Sequence, residues 1–101
     1  MDFLKKLFGF SSAGNEAIKQ ALENGAVIID VRTPSEFSGG HPKGARNIPL
    51  QQLPHKVNEI KKLKKPIVLC CASGMRSASA RALLSKEGIE CLDAGSWRNL
   101  N

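Results

Sequence analysis

The succession of apolar runs in this chain predicts an α/β protein in which helices alternate with the strands of a parallel sheet. Three observations carry that prediction. Apolar, β-branched runs at Ala26 to Val31, broken only by Asp30 at its carboxyl end, and at Ile67 to Cys70 have the pattern of strands buried on both faces, and Ile89 to Leu92 supplies a last strand. The stretches between them repeat apolar residues at helical spacing, and Gly or Pro closes each one. Strands and helices in that order imply right-handed crossovers, with ligands binding outside the carboxyl ends of the strands. A length of 101 residues with 42% hydrophobic content is enough for one core and one domain.

Ala17, Ile18, Ala21 and Leu22 mark the first helix, which Asn24-Gly25 stops. Ala26 to Val31 follows as a strand and delivers Asp30 and Arg32 to the sheet rim. Thr33-Pro34-Ser35-Glu36 reads as a capping box with Pro at the first helical position, so a short helix begins there and ends at Gly39-Gly40. Ala45 to Ile48 is a short strand candidate. Leu53, Val57, Ile60 and Leu63 predict an amphipathic helix ending before Pro66, and Ile67 to Cys70 is the next strand. Ser77 to Glu87 has high helix propensity and closes at Gly88, after which Ile89 to Leu92 forms the last strand. Residues 1–14 are read as an N-terminal extension, with Met1 to Phe10 as an amphipathic turn, and residues 15–101 as the domain.

The formal charge of +6 comes partly from Lys56, Lys61, Lys62, Lys64 and Lys65. No aromatic residues interleave with these lysines, so they read as a solvated helix face, not a nucleic-acid surface. An anionic small molecule or an acidic protein partner stays compatible with them. Three cysteines, two of them adjacent, supply neither a disulfide framework nor paired zinc knuckles, which points to a reducing cytoplasm and to no metal or cofactor. The N-terminal stretch lacks a signal peptide's apolar run and is too short for a transmembrane segment.

The segment Cys71-Ala72-Ser73-Gly74-Met75-Arg76-Ser77 joins a strand to a helix through small residues. Successive backbone N–H groups in such a loop can turn toward one point, and the helix start adds further free donors. A cysteine facing them ionises more readily than a free thiol, so no general base is required. Gly74 permits a backbone angle that a side chain resists, Arg76 can bond loop carbonyls or meet an incoming anion, and Ser77 suits an N-cap or first-turn position. The alternative is that Cys71 is a small buried hydrophobe. The order of strand, loop, Arg and Ala-rich helix argues against it.

These residues carry a resemblance. Cys71 to Ser77 resembles the active-site loop of the rhodanese-like domain family, in which Cys opens the loop with Gly fourth and Arg sixth. Ile29-Asp30-Val31-Arg32-Thr33-Pro34-Ser35-Glu36-Phe37, then Gly40-His41 and Gly44-Ala45-Arg46-Asn47-Ile48-Pro49-Leu50, is similar to the family's other signature. The resemblance implies a three-layer sandwich with a parallel sheet of four or five strands flanked by helices on both faces. It also implies a sulfurtransferase that takes sulfane sulfur from a small anion such as thiosulfate or from a protein persulfide. Cys71 would hold that sulfur as a persulfide and pass it to a thiol or cyanide. The amides from Ala72 to Ser77 would solvate the terminal sulfur, with Arg76 closing the loop. Asp30, Arg32, Glu36 and His41 match the first signature and read as a polar network bracing the rim.

Three departures qualify the match. No clear edge strand precedes Asn15, leaving Phe8 to Phe10 as the candidate, and Ala94-Gly95-Ser96-Trp97 only approximates the family's Gly-Gly turn and Trp. Ala72 and Met75 stand where thiosulfate-using members often carry cations, which favours a protein persulfide donor. Counted from Cys70, the sequence also has the Cys-x-x-x-x-x-Arg spacing of cysteine-dependent phosphatases and arsenate reductases, and a non-catalytic binding module is a further alternative. Cys70 reads as packing or as a resolving thiol, Cys91 as core, and His55 as a solvated helix residue.

Overall fold

Side-chain alternation along the central strand divides the protein into its layers. The computed structural model describes residues 13–100. In strand β3 (Ile67–Cys71) every residue is buried. Ile67, Leu69 and Cys71 pack with Leu53, Val57, Ile60, Ala80 and Leu84 on one face, whereas Val68 and Cys70 pack with Ala21 and Ala94 on the other. A strand presents alternate residues to opposite faces, so two apolar layers need a strand that is apolar throughout.

The elements in chain order are α1 (Ala13–Glu23), β1 (Val27–Asp30), α2 (Pro34–Ser38), β2 (Arg46–Asn47), a 3₁₀ helix (Leu50–Lys56), α3 (Val57–Leu63), β3, α4 (Met75–Lys86), β4 (Cys91–Ser96) and a closing 3₁₀ helix (Trp97–Leu100). The sheet order is β2-β1-β3-β4 and every pairing is parallel, with Asp30 opposite Cys70. The 3₁₀ helix, α3 and α4 cover one face, and α1 covers the other together with Trp97 and Leu100. From β1 the chain steps outward to β2 and then returns to the far side of β1 as β3. The crevice beyond the ends of β1 and β3 is therefore the switch point at which such sheets bind ligands.

Several boundaries differ from the sequence expectation, each for a local reason. Among the described residues the sheet has four strands; the fifth-strand candidate Phe8 to Phe10 and the amphipathic stretch Met1 to Phe10 lie outside them. The single helix expected over Leu53 to Leu63 is two, a 3₁₀ helix containing Pro54 and then α3, because proline offers no N–H for an α-helical bond. Helix α4 begins at Met75, two residues earlier than expected, since Gly74 at φ +105° turns the chain directly into it. Strand β4 starts at Cys91 and runs to Ser96, past the expected end at Leu92, through a register shift opposite Leu69 and Cys71. That shift is a bulge around Ala94 and Gly95, and Gly95 supplies the positive φ of +73°.

Leu69 is completely buried at the middle of the sheet. Leu69→Ala is expected to cost about 2–5 kcal/mol through lost contact and residual cavity. Urea unfolding should show a lower midpoint at unchanged slope; a loss below about 1 kcal/mol would contradict this packing.

Candidate active site

Helix α4 has no side-chain cap at its N-terminus, and the donors left free there turn to sulfur. The Gly74 amide lies 2.9 Å from Cys71 Sγ and the Ser77 amide 3.3 Å. The Ser77 hydroxyl is 3.4 Å from Sγ and donates to the Gly74 carbonyl at 3.2 Å, so rotation of one O–H directs it to a thiolate instead. Burial pushes the Cys71 thiol up. The Ser77 hydroxyl and the amides of Ser77, Gly74 and Ser73 outweigh it, and the net shift is below the ordinary 9.0. Cys71 and Ser77 are fully enclosed, while the loop's outer residues face solvent, with Met75 80% exposed. The sulfur is thus the floor of the loop and the upper edge of the core.

Gly74 is required by its φ of +105°, which L side chains rarely adopt, and the turn it makes packs against Gly95, whose Cα lies 3.7 Å from where a Cβ on Gly74 would sit. The bulge in β4 and the turn into α4 are therefore packed against each other by two glycines.

Arg76 turns outward instead of bonding the loop's carbonyls or facing the sulfur. Its Nη1 and Nη2 donate to Glu36 Oε1 and Oε2 at 2.7 and 3.0 Å, because a carboxylate matches the guanidinium fork that a single carbonyl does not. Glu36 Oε1 also accepts from the Thr33 amide at 3.0 Å, while the Thr33 hydroxyl accepts from the Glu36 amide, closing the expected capping box. Arg76 first, and then the Thr33 N–H, hold the Glu36 carboxyl at about 2.

A second Arg–carboxylate pair lies beneath the first. Asp30 and Arg32 are both buried, with Arg32 Nη2 2.7 Å from Asp30 Oδ2 and Arg32 Nε 2.9 Å from Asp30 Oδ1. Arg32 also donates to the Gly40 carbonyl at 2.7 Å and lies over the Trp97 ring at 4.6 Å. A Cβ at Gly40 would meet that ring at 3.1 Å. His41 stands apart from the pair: its ring stacks on Phe37 at 3.8 Å, and Nδ1 donates to the Phe37 carbonyl at 2.7 Å. Asn47 had no role assigned from sequence. Its amide donates to the Asp30 and Arg32 carbonyls at 3.1 and 2.9 Å, tying β2 to the end of β1; only its place in the quoted signature hinted at it.

Cys70 faces the opposite layer from Cys71, and burial first, then the Asp30 charge, pushes its thiol up to about 12. The phosphatase-like count from Cys70 thus begins at a residue turned away from the loop. Cys91 lies beside Ile67 at the other end of β3, where burial raises it to about 11. His55 is exposed in the 3₁₀ helix. Among the described residues no cluster of His, Cys, Asp and Glu has metal-binding spacing, and no helix is long and apolar enough to cross a membrane.

An open parallel sheet with a cysteine beneath an amide-lined loop at its switch point defines a narrow class of α/β domains. Within that class the Rhodanese-like domain model matches residues 15–98, and the chain belongs to that family. It is 32% identical over 96 residues to the thiosulfate sulfurtransferase GlpE of Pseudomonas aeruginosa, covering 90% of this chain and 86% of that protein. It is 52% identical over 63 residues to protein YqhL of Bacillus subtilis, covering 62% of this chain but only 49% of that protein. Among solved structures, reduced Bacillus anthracis CoADR-RHD superposes with a TM-score of 0.73 at 34% identity, over 85% of this chain and 15% of that one. A rhodanese-like domain protein from Staphylococcus aureus superposes with a TM-score of 0.71 at 27% identity, over 85% of each chain. The chain therefore spans about half of YqhL and a small part of the B. anthracis protein.

Ser77→Ala removes the hydroxyl that helps to hold the thiolate while leaving both amides. The Cys71 pKa should rise by about one unit, the range expected for one lost hydrogen bond to a charged group. Thiolate absorbance followed against pH reads this directly, since Cys70 and Cys91 ionise far higher; an unchanged Cys71 midpoint would remove Ser77 from this role.

Proposed function

We propose that the protein is a sulfurtransferase that carries sulfane sulfur as a persulfide on Cys71. The observation supporting this reading is the convergence of the Gly74 and Ser77 amides on Cys71 Sγ. Donors fixed before the reaction stabilise negative sulfur without reorganising. The family and the GlpE relatives support the same chemistry.

With thiosulfate as donor, the Cys71 thiolate attacks the outer sulfur and forms a new S–S bond. The old S–S bond breaks, and sulfite leaves with its electron pair. The persulfide then carries the negative charge on its terminal sulfur, within reach of the loop amides from Ala72 to Ser77. A thiolate takes that sulfur as a new persulfide, or cyanide takes it as thiocyanate, and in both cases the Cys71 S–S bond breaks and Cys71 leaves as thiolate. Neither half-reaction needs an outside oxidant or a proton from a side chain. Arg76 braces the loop through Glu36, and the buried Asp30–Arg32 pair supports the rim beneath, while His41 packs on Phe37 in the turn after α2.

Among donors, a persulfide presented by a protein or thiol suits Ala72 and the exposed Met75 better than free thiosulfate does. A reducing compartment such as the cytoplasm suits three free thiols. A binding module without chemistry would not require a depressed cysteine.

Incubation with thiosulfate followed by cyanolysis should release labile sulfur from the wild type and none from Cys71→Ser. Mass spectrometry of the Cys71 peptide should show the mass of one added sulfur, lost on cyanide treatment. Equal labile sulfur in both proteins would defeat the proposal.

A further inference from the structure

The loop over Cys71 holds one cation, Arg76, and that cation is already paired. Both terminal nitrogens of its guanidinium are committed to Glu36, at 2.7 and 3.0 Å. Glu36 is fixed in turn by the Thr33 amide at 3.0 Å and the Thr33 hydroxyl at 3.1 Å. Its carboxylate therefore cannot swing away without also breaking the cap of α2. The pair is about one-third exposed at the rim. Beside it the loop offers Ala72, Ser73 and Met75, none of them charged. Four of the lysines that make the chain basic, Lys61, Lys62, Lys64 and Lys65, lie at the end of α3 and just before β3 begins, at the opposite end of the sheet from Cys71. A basic protein thus presents an electrically neutral mouth above its most acidic thiol.

We propose that Glu36 is a specificity-determining residue: by cancelling the charge of Arg76 it keeps the mouth of the Cys71 loop from drawing in free anions, and so favours sulfur donors that dock through uncharged contacts. The inference deepens the sulfurtransferase reading and rests on it for the word donor, but the charge effect itself is measurable without any sulfur transfer. An unpaired arginine beside the loop would attract a dianion such as thiosulfate through Coulombic steering and bidentate bonding. Glu36 removes that attraction while preserving the fold, because it is also the N3 residue of the capping box.

Glu36→Gln separates the two roles, since Gln serves a capping box as well as Glu does but carries no charge. Two alkylating reagents, iodoacetate and iodoacetamide, differ by little more than one negative charge, so the ratio of their rates at Cys71 cancels access to the sulfur. Cys70 and Cys91 are buried, and burial pushes their thiols up to about 12 and about 11, so near neutral pH Cys71 is the thiol that reacts first. Glu36→Gln should raise the iodoacetate-to-iodoacetamide ratio by about threefold or more, a size typical of one uncompensated charge near a surface. Arg76→Gln should lower it, and the double variant should return it close to the wild-type value. In steady state, Glu36→Gln should lower KM for thiosulfate by a similar factor with little change in kcat. A purely structural role predicts the reverse, a raised KM and a lower melting temperature with no change in the ratio. A ratio that is the same in all four proteins overturns the inference. Labile sulfur on the wild type with a flat ratio would defeat this inference alone; a shifted ratio with no labile sulfur would support the charge effect and defeat the sulfurtransferase reading.

Discussion

Two backbone amides and one sulfur organise this protein's upper edge. Helix α4 must satisfy its first N–H groups, and instead of a side-chain oxygen it uses Cys71 Sγ, to which Gly74 and Ser77 both donate. The helix and the site are therefore completed by the same contacts. The turn that makes them possible depends on Gly74 at positive φ, packed close to Gly95 in the bulge of β4. The irregular end of the sheet thus positions the loop, and the loop positions the donors.

Around that loop the rim is held by ion pairs in two settings. The Asp30–Arg32 pair is buried and bonded at both oxygens, so loss of either partner would leave an uncompensated buried charge. The further partners of Arg32, the Gly40 carbonyl and the Trp97 ring, bring the turn after α2 and the end of the chain to the tip of β1. Arg98 also lies over the Trp97 ring, at 5.0 Å. Among the described residues no buried side-chain polar atom lacks a partner. The upper pair, Glu36 and Arg76, is about one-third exposed and joins α2 to α4 across a sequence separation of 40.

The layered α/β order was legible because its signals are local. Buried strands are apolar on both faces, and the capping box at Thr33 and Glu36 is written in four consecutive residues. Cys71 could be picked out for the same reason, since a strand end, a small-residue loop and a helix follow it without a break. What escaped reading was set across the fold. Pro54 splits the expected long helix through the backbone bond it cannot make. The bulge at Gly95 extends β4 because of what packs against it, namely Gly74. The destination of Arg76 was out of view because Glu36 belongs to another element, and a guanidinium near a loop gives no sign of where its fork will point. His41 matched the same signature as Asp30 and Arg32, yet it stacks on Phe37, a neighbour that only the turn after α2 brings face to face with it.

The strict alternation of Cys70 and Cys71 has a bearing on what becomes of a sulfur once it is loaded. The adjacent thiol points through the sheet into the other layer, and Cys91 sits at the far end of the strand. On the proposed chemistry, neither would be placed to take a persulfide's outer sulfur from Cys71. A loaded molecule would have no internal route for discharge, so its lifetime would be governed by encounters with thiols outside it, and the abundance of those recipients would decide whether it works as a store or as a courier.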